Sequence, residues 1–358
     1  MATGSDPFYG CLCLETASNV NGPIPPIRSR RSLGILLPEI HFNIWEKDAG
    51  DGPLLDIGLM LSVDEPAERI EIFLPWVLDV AEIEDLSARV LARNGVSAIF
   101  NESWTTSSTP NNLGGYVTRD DGSIFTIVPF SPVVLPRNHN SNLFNSVIVD
   151  VAQLKTIPSV FSTNRALDQI YVRFRVKKVP PEFYQVGIDQ GDVFGGGALN
   201  RTDIIDFRMN VRRGVPPGLE TLVKGRFLEF SKVQLFLMKP RDQDIVFEDK
   251  LFKACRSLED EKFWAEYILP AGATQSQIKK SLKQVQGSLG YQWKKSAPAS
   301  VSEISEFGML ARFKSFKMKK RTITLFLILA LGIGVLGNLV YDFGKSMIEE
   351  KSERENNP

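Results

Sequence analysis

Twenty consecutive residues, Thr322 to Tyr341 (TITLFLILALGIGVLGNLVY), carry no charged side chain. A helix rises about 1.5 Å per residue, so this stretch covers the roughly 30 Å hydrocarbon core of a bilayer. It predicts a transmembrane helix at 322–341, with about 320 residues before it and a short tail, 342–358, behind it. Arg312, Lys314, Lys317, Lys319, Lys320 and Arg321 precede the span with no acid after Glu306, whereas the tail mixes both signs. Lys and Arg accumulate on the cytoplasmic side of spanning helices. The N-terminal side is therefore expected in the cytoplasm and the tail across the membrane. Residues 1–32 contain no apolar signal segment, so insertion is expected to depend on the C-terminal helix, as in tail-anchored proteins.

The basic cluster predicts a partner, a lipid bilayer with anionic headgroups. Residues 296–321 read as a hinge followed by an amphipathic juxtamembrane segment. Ile304, Phe307, Leu310, Phe313 and Phe316 recur among the cations, and either lie in the headgroup boundary or continue the spanning helix inward. Within the span, Ala330, Gly334 and Asn338 fall four apart with Gly337 beside them. Small residues let helices approach closely, and an amide in hydrocarbon is costly unless it bonds across an interface. A homo-oligomer formed through this face is expected.

The rest of the chain shows two periodicities. Residues 1–32 read as a disordered arm, since Pro23, Pro25 and Pro26 remove donors and fix φ. From 33 to 240 apolar residues alternate with polar ones. Ala166 to Lys178 places Ile170, Val172, Phe174 and Val176 on one face and Tyr171, Arg173, Arg175 and Lys177 on the other; Ile205, Phe207, Met209 and Val211 alternate with Asp206, Arg208, Asn210 and Arg212. Segments 34–45, 68–76, 145–154 and 226–238 are further strand candidates, and Asp121-Gly122 centres a hairpin. Only Val77 to Gly95 has helical spacing, with Asn94-Gly95 as its C-cap. The expected fold is mainly β, an antiparallel sandwich or barrel-like cytoplasmic domain. From 241 to 295 a helical region is expected. Phe247, Leu251, Cys255 and Leu258 recur at helical spacing, and Thr274 with Gln277 forms a capping box before the stripe Ile278, Leu282, Val285 and Leu289.

Charge and reactive residues narrow the function classes. Lys plus Arg and Asp plus Glu are both 42, so net charge supplies no general attraction to nucleic acid, which is disfavoured as a partner. Cys11, Cys13 and Cys255 form no disulfide framework, and a reducing compartment is expected. The two histidines, His41 and His139, are not spaced to complete a metal site with the Cys11/Cys13 pair; neither metal nor cofactor is expected. Gly195-Gly196-Gly197 lacks both a phosphate-loop ending and a strand-to-helix setting.

Two function classes remain. The favoured one is non-enzymatic. In it a cytoplasmic β-rich domain binds an unidentified protein or anionic small-molecule ligand and the associating helix anchors it; in a variant the helix itself perturbs the bilayer when the domain clusters, as a membrane-acting stress or defence effector. Its candidate anion surface is Arg173, Arg175 and Lys177 with Arg208 and Arg212, on two strands that become neighbours if they pair. No catalytic residues are assigned. The alternative is a membrane-tethered hydrolase or nuclease using the acids between Asp64 and Asp85.

Overall fold

The computed structural model describes residues 11–17, 36–46, 52–92, 94–108, 114–118, 122, 124–139, 142–161, 169–189, 200–211, 215, 227–297, 303–316 and 320–355. The chain divides into two compact units, Met1–Val186 with Ile204–Phe313, and Gly187–Asp203 with Lys314–Pro358.

Eighteen strands and six α-helices follow one another among the described residues. The first half holds β1 (Cys11–Ala17), β2 (Glu39–Trp45), β3 (Leu54–Ser62), β4 (Arg69–Leu74), β5 (Ile83–Asp85), α1 (Ser87–Leu91), α2 (Gly95–Phe100), β6 (Thr105–Ser108), β7 (Gly115–Thr118) and β8 (Ile124–Ile127). Next come β9 (Val133–His139), β10 (Asn142–Asp150), α3 (Val151–Phe161), β11 (Gln169–Val176), β12 (Gln185–Asp189), β13 (Asn200–Met209) and β14 (Lys232–Pro240). The remainder is β15 (Gln243–Glu248), β16 (Phe252–Ser257), α4 (Glu261–Ile268), α5 (Gln275–Gln286), β17 (Ser288–Ser296), β18 (Phe307–Phe316) and α6 (Lys320–Glu355).

The protein is mainly β, with two mixed sheets that do not close on themselves. One runs β15-β18-β13-β1-β4-β10-β9, with β12 beside β13. The other runs β16-β17-β14-β2-β3-β11-β8-β7-β6, with β5 beside β11. One core joins their inner faces. Leu12, Ile72, Val147, Phe207 and Met309 come from the first sheet, and Phe42, Ile57, Val172, Leu235 and Trp293 from the second. The parallel pairs β1/β13, β2/β14 and β8/β11 lie within otherwise antiparallel neighbourhoods.

The second sheet is buried on both faces, because helices cover the side turned away from the sandwich. Val90, Val96, Ile99, Phe263, Trp264, Tyr267 and Val285 from α1, α2, α4 and α5 pack on Trp45, Met60, Tyr171 and Met238. Strand β3 (LLDIGLMLS) is consequently buried at all nine positions. A strand covered on both sides has no polar alternation to reveal it.

Several expected elements take another form. Residues 11–17 of the supposed disordered arm are a strand, antiparallel to β4 from Cys13↔Phe73 to Ala17↔Arg69 and parallel to β13. Leu12, Cys13 and Leu14 are fully buried. Asn210, in a left-handed conformation at φ 57°, secures the strand: its Oδ1 accepts from Leu14 N–H (2.9 Å), and its own N–H donates to the Leu12 carbonyl (2.8 Å). The helical stretch at 77–95 is broken into β5 and α1, and Asn94 stands before α2 rather than ending a helix. Phe247, Leu251, Cys255 and Leu258 belong to β15, β16 and their flanks, whereas the Thr274–Gln277 capping box does open α5. The Gly122 hairpin is present, with Thr118 opposite Ile124 and φ of 85° at Gly122. Residues 307–316 of the juxtamembrane segment are neither amphipathic helix nor inward extension of the span. They form β18, whose Phe307, Met309, Ala311 and Phe313 are buried in the sandwich at period two.

Because β1 sits inside the first sheet, Leu14→Ala should destabilise the domain by about 2–5 kcal/mol, as for other fully buried leucines. Denaturant unfolding of the detergent-solubilised protein measures this, and a change within about 0.5 kcal/mol would mark β1 as a surface strand.

Candidate functional site

Two features concentrate chemistry: helix α6, and a buried arginine network on the outer face of the second sheet.

Helix α6 runs 36 residues, about 54 Å, so its ends extend past a roughly 30 Å hydrocarbon layer. Its apolar portion Leu327–Ile348 has no buried residue, and among the described residues it is the one helix long and apolar enough to cross a membrane. Ala330, Gly334, Gly337 and Asn338 are all exposed. At 100° per residue they fall within an arc of about 100°. A Cβ added at Gly334 or Gly337 would meet nothing within 4 Å. Of the basic cluster, Arg312 and Lys314 are exposed on β18, and Lys320 and Arg321 begin α6. Lys317 and Lys319 lie outside the described residues.

The candidate anion surface is not assembled. Arg173 and Arg175 do alternate with Val172, Phe174 and Val176, as the sequence indicates, but their face is covered by the helical layer. Arg173 is 0% exposed and Arg175 is 1% exposed. Arg208 lies on β13 in the other sheet, where it grips Asp206, with Nε to Oδ1 at 2.9 Å. Lys177 pairs with Glu84 at 3.0 Å. Arg212 lies outside the described residues.

The two buried arginines instead organise the interior. Arg175 forks onto Asp56 (Nε to Oδ1 2.6 Å, Nη2 to Oδ2 3.0 Å), and Trp45 Nε1 donates to Asp56 Oδ2 at 2.8 Å. Its Nη1 donates to the Tyr267 and Ile268 carbonyls, each at 3.0 Å. Arg89 Nη1 also donates to the Tyr267 carbonyl, at 2.6 Å. These carbonyls end α4, where helix geometry leaves acceptors unfilled and the dipole favours cations. Arg173 donates from Nε to the Tyr267 hydroxyl (2.7 Å) and from Nη1 to the Tyr171 hydroxyl (2.9 Å), and its Nη2 stands 3.9 Å from Asp56. Burial would raise the Asp56 carboxyl, but Arg175 and then Arg173 overcome it and hold it below its ordinary value. Burial also pushes the Tyr267 hydroxyl up, so it remains neutral beside Arg173. Gly58, opposite Arg173 in β3, leaves the space for this bond. A Cβ there would lie 2.2 Å from the Tyr171 hydroxyl.

The sequence does carry a signal for this network: Asp56 is the lone charge in an apolar run, and such a residue needs an interior partner. Tyr267 as that network's hub has no comparable signal. Beyond Tyr267 opens a pocket of about 300 Å³, walled by Arg89, Phe263, Glu266, Leu269 and Ile278.

His41 lies on the same face of the second sheet, 4% exposed, with its ring 5.3 Å from Phe100 and 5.9 Å from Tyr171. Its Nε2 is 3.5 Å from Glu39 Oε2, long for a hydrogen bond. Burial pushes the imidazole down to about 4, against the opposing effect of Glu39. His139 closes β9.

Most acids of the hydrolase alternative are already bonded within the fold. Glu65 accepts from Ala67 N–H, Glu71 binds Arg137, Asp79 and Glu82 form a capping box, Glu84 binds Arg89, and Asp85 accepts from Ser87 and Phe130. Among the described residues no group of three or more His, Cys, Asp or Glu side chains is placed to hold a metal ion. The Gly195–Gly197 tract lies outside the described residues.

The chain matches no protein-family model, and a search of curated proteins finds no match.

Two expectations follow. Asp56→Asn should destabilise the domain by about 3–5 kcal/mol, the usual consequence of removing one partner from a buried ion pair. Arg173→Glu should likewise lower the thermal midpoint; an unchanged midpoint would return that residue to the surface. His41 has a folded-state value near 4, below its ordinary 6.5, so the unfolded chain binds the extra proton and stability falls as pH drops from 6.5 towards 4. Between pH 7 and 5 this amounts to roughly 2 kcal/mol. Denaturation at both pH values should show a smaller pH-dependent loss in His41→Gln, and an equal loss would exclude His41 as its source.

Proposed function

We propose that the protein is a single-pass, tail-anchored membrane protein that displays a β-rich binding domain on the cytoplasmic face, with copies associating through α6. The observation that carries this reading is the wholly unburied apolar surface from Leu327 to Ile348. In water such a surface has no stabilising neighbour, whereas in hydrocarbon its side chains are solvated and all interior backbone groups are paired within the helix. The charge asymmetry across the span supports the cytoplasmic placement of the domain.

The arc of Ala330, Gly334, Gly337 and Asn338 supports association, because the three small residues expose backbone and the amide can bond across to a second helix. The domain's role is binding rather than catalysis. Its deepest polar groups are bonded to one another and to the end of α4, where they serve the fold. The partner for the domain is a protein or an anionic small molecule. Arg173 and Arg175 are excluded from that contact by their burial.

Membrane fractionation of the full chain tests the anchor. The protein should resist alkaline extraction, whereas Leu331→Arg with Val335→Arg, at about 2.5–3.5 kcal/mol per arginine in mid-membrane, should release it. Protease added to sealed vesicles should reach the domain but not the tail if the orientation is right. Crosslinking should give a dimer band that weakens in Gly334→Ile with Asn338→Leu. Extraction of the unaltered chain at alkaline pH would overturn the anchor, and an unaltered crosslinking pattern would overturn the association.

A further inference from the structure

Strand β18 alternates strictly. Phe307, Met309, Ala311, Phe313 and Ser315 are buried, while Gly308, Leu310, Arg312 and Lys314 form an outward row. Leu310 is 41% exposed. Beside it lies β15, the edge of the sheet, whose Val246 and Phe247 are 54% and 47% exposed. An edge strand that exposes large apolar side chains next to cations is unusual for a water-facing surface, since edges are ordinarily blunted with charge.

Chain connectivity decides what this surface meets. Only residues 317–319 separate the end of β18 from the start of α6. Four extended residue steps reach at most about 14 Å. From Lys320 to Leu327 the helix rises a further 10 Å or so. Phe316 therefore cannot lie more than about 25 Å from the hydrocarbon of a bilayer that α6 spans, while the headgroup layer itself occupies roughly 5–8 Å of that distance. From Leu310 to Arg321 the chain holds six bases and no acid, of which Arg312 and Lys314 are exposed on β18 and balance the exposed β15 acids Asp244 and Glu248.

We propose that the outward row of β18, with the adjoining edge β15, is a lipid-docking surface. Arg312 and Lys314 engage the phosphate and carboxylate groups of anionic lipid, and Leu310 and Val246, which share the outward face, enter the headgroup–acyl boundary. This inference rests on α6 spanning a membrane. It goes beyond simple tethering, because it fixes which side of the sandwich lies against the leaflet and leaves the far edge, β9, free for partners. Five strand spacings separate β18 from β9, about 24 Å along the sheet.

The test uses the full chain in lipid nanodiscs of phosphatidylcholine with or without phosphatidylserine. A nitroxide is placed at Leu310→Cys in a Cys11→Ser, Cys255→Ser background, where Cys13 stays buried, and Val133→Cys on β9 is the reference. Relaxation by a nickel-chelating headgroup should be strong at position 310 in discs containing phosphatidylserine. It should fall to the position-133 level with Arg312→Glu and Lys314→Glu, and weaken in 1 M salt, where screening shortens to about 3 Å. Equal relaxation at 310 and 133 in protein that resists alkaline extraction would sink the docking surface alone. Spin–spin broadening between labels at 310 would assign the surface to a second copy and overturn the lipid assignment. Failure of the chain to enter discs would remove both the anchor and the surface.

Discussion

The ion pair between Arg175 and Asp56 ties together three parts of the domain that lie far apart in sequence. Asp56 belongs to β3, Arg175 to β11, and the remaining guanidinium donors end α4 by binding its last carbonyls. A buried carboxylate and guanidinium are tolerated only where their hydrogen-bonding groups find partners, and Trp45 supplies the additional donor to Asp56. Apolar contacts between α4 and the sheet would tolerate sliding. Directional bonds to carbonyl oxygens do not, so the pair specifies where the helical layer sits as much as how strongly it is held. Arg173, stretched between the hydroxyls of Tyr267 and Tyr171, repeats the same device one pleat away.

That arrangement makes the second sheet a shared wall between two cores. Its inner face packs against the first sheet, and its outer face packs under α1, α2, α4 and α5. The first sheet has a different problem at its centre, where β1 must be held between β4 and β13. Asn210 meets it by adopting a left-handed conformation that its short polar side chain permits, and by filling backbone groups of β1. One strand in from the edge of that sheet, β18 is separated from α6 by only three residues. The same strand is thus both a wall of the sandwich and the last described strand before α6.

Much of this was legible in the residues themselves. The alternation of Ile170, Val172, Phe174 and Val176 and of Ile205, Phe207 and Met209 appears as two strands with those side chains inward. Thr274 and Gln277 cap a helix as their spacing indicates. What periodicity could not distinguish was water from a second layer of protein. A period of two says that Arg173 and Arg175 point away from the sandwich; it does not say that Tyr267 waits there. Strand β3, apolar on both faces, offered no alternation at all, and Phe307 to Phe316 mixed helical spacing of phenylalanines with a strand's alternation of burial.

The sequence by itself determined the uncharged span, the asymmetry of cations around it and the β-rich class of the domain, because these depend on composition and local period. Tertiary structure alone decided that the N-terminal Cys11–Ala17 is a central strand, that the helices form a third layer, and that the cations of β11 are interior. Those outcomes depend on which distant segment covers each face. A charged side chain is driven to water or to a partner with equal effect, and only the fold determines which of the two is present.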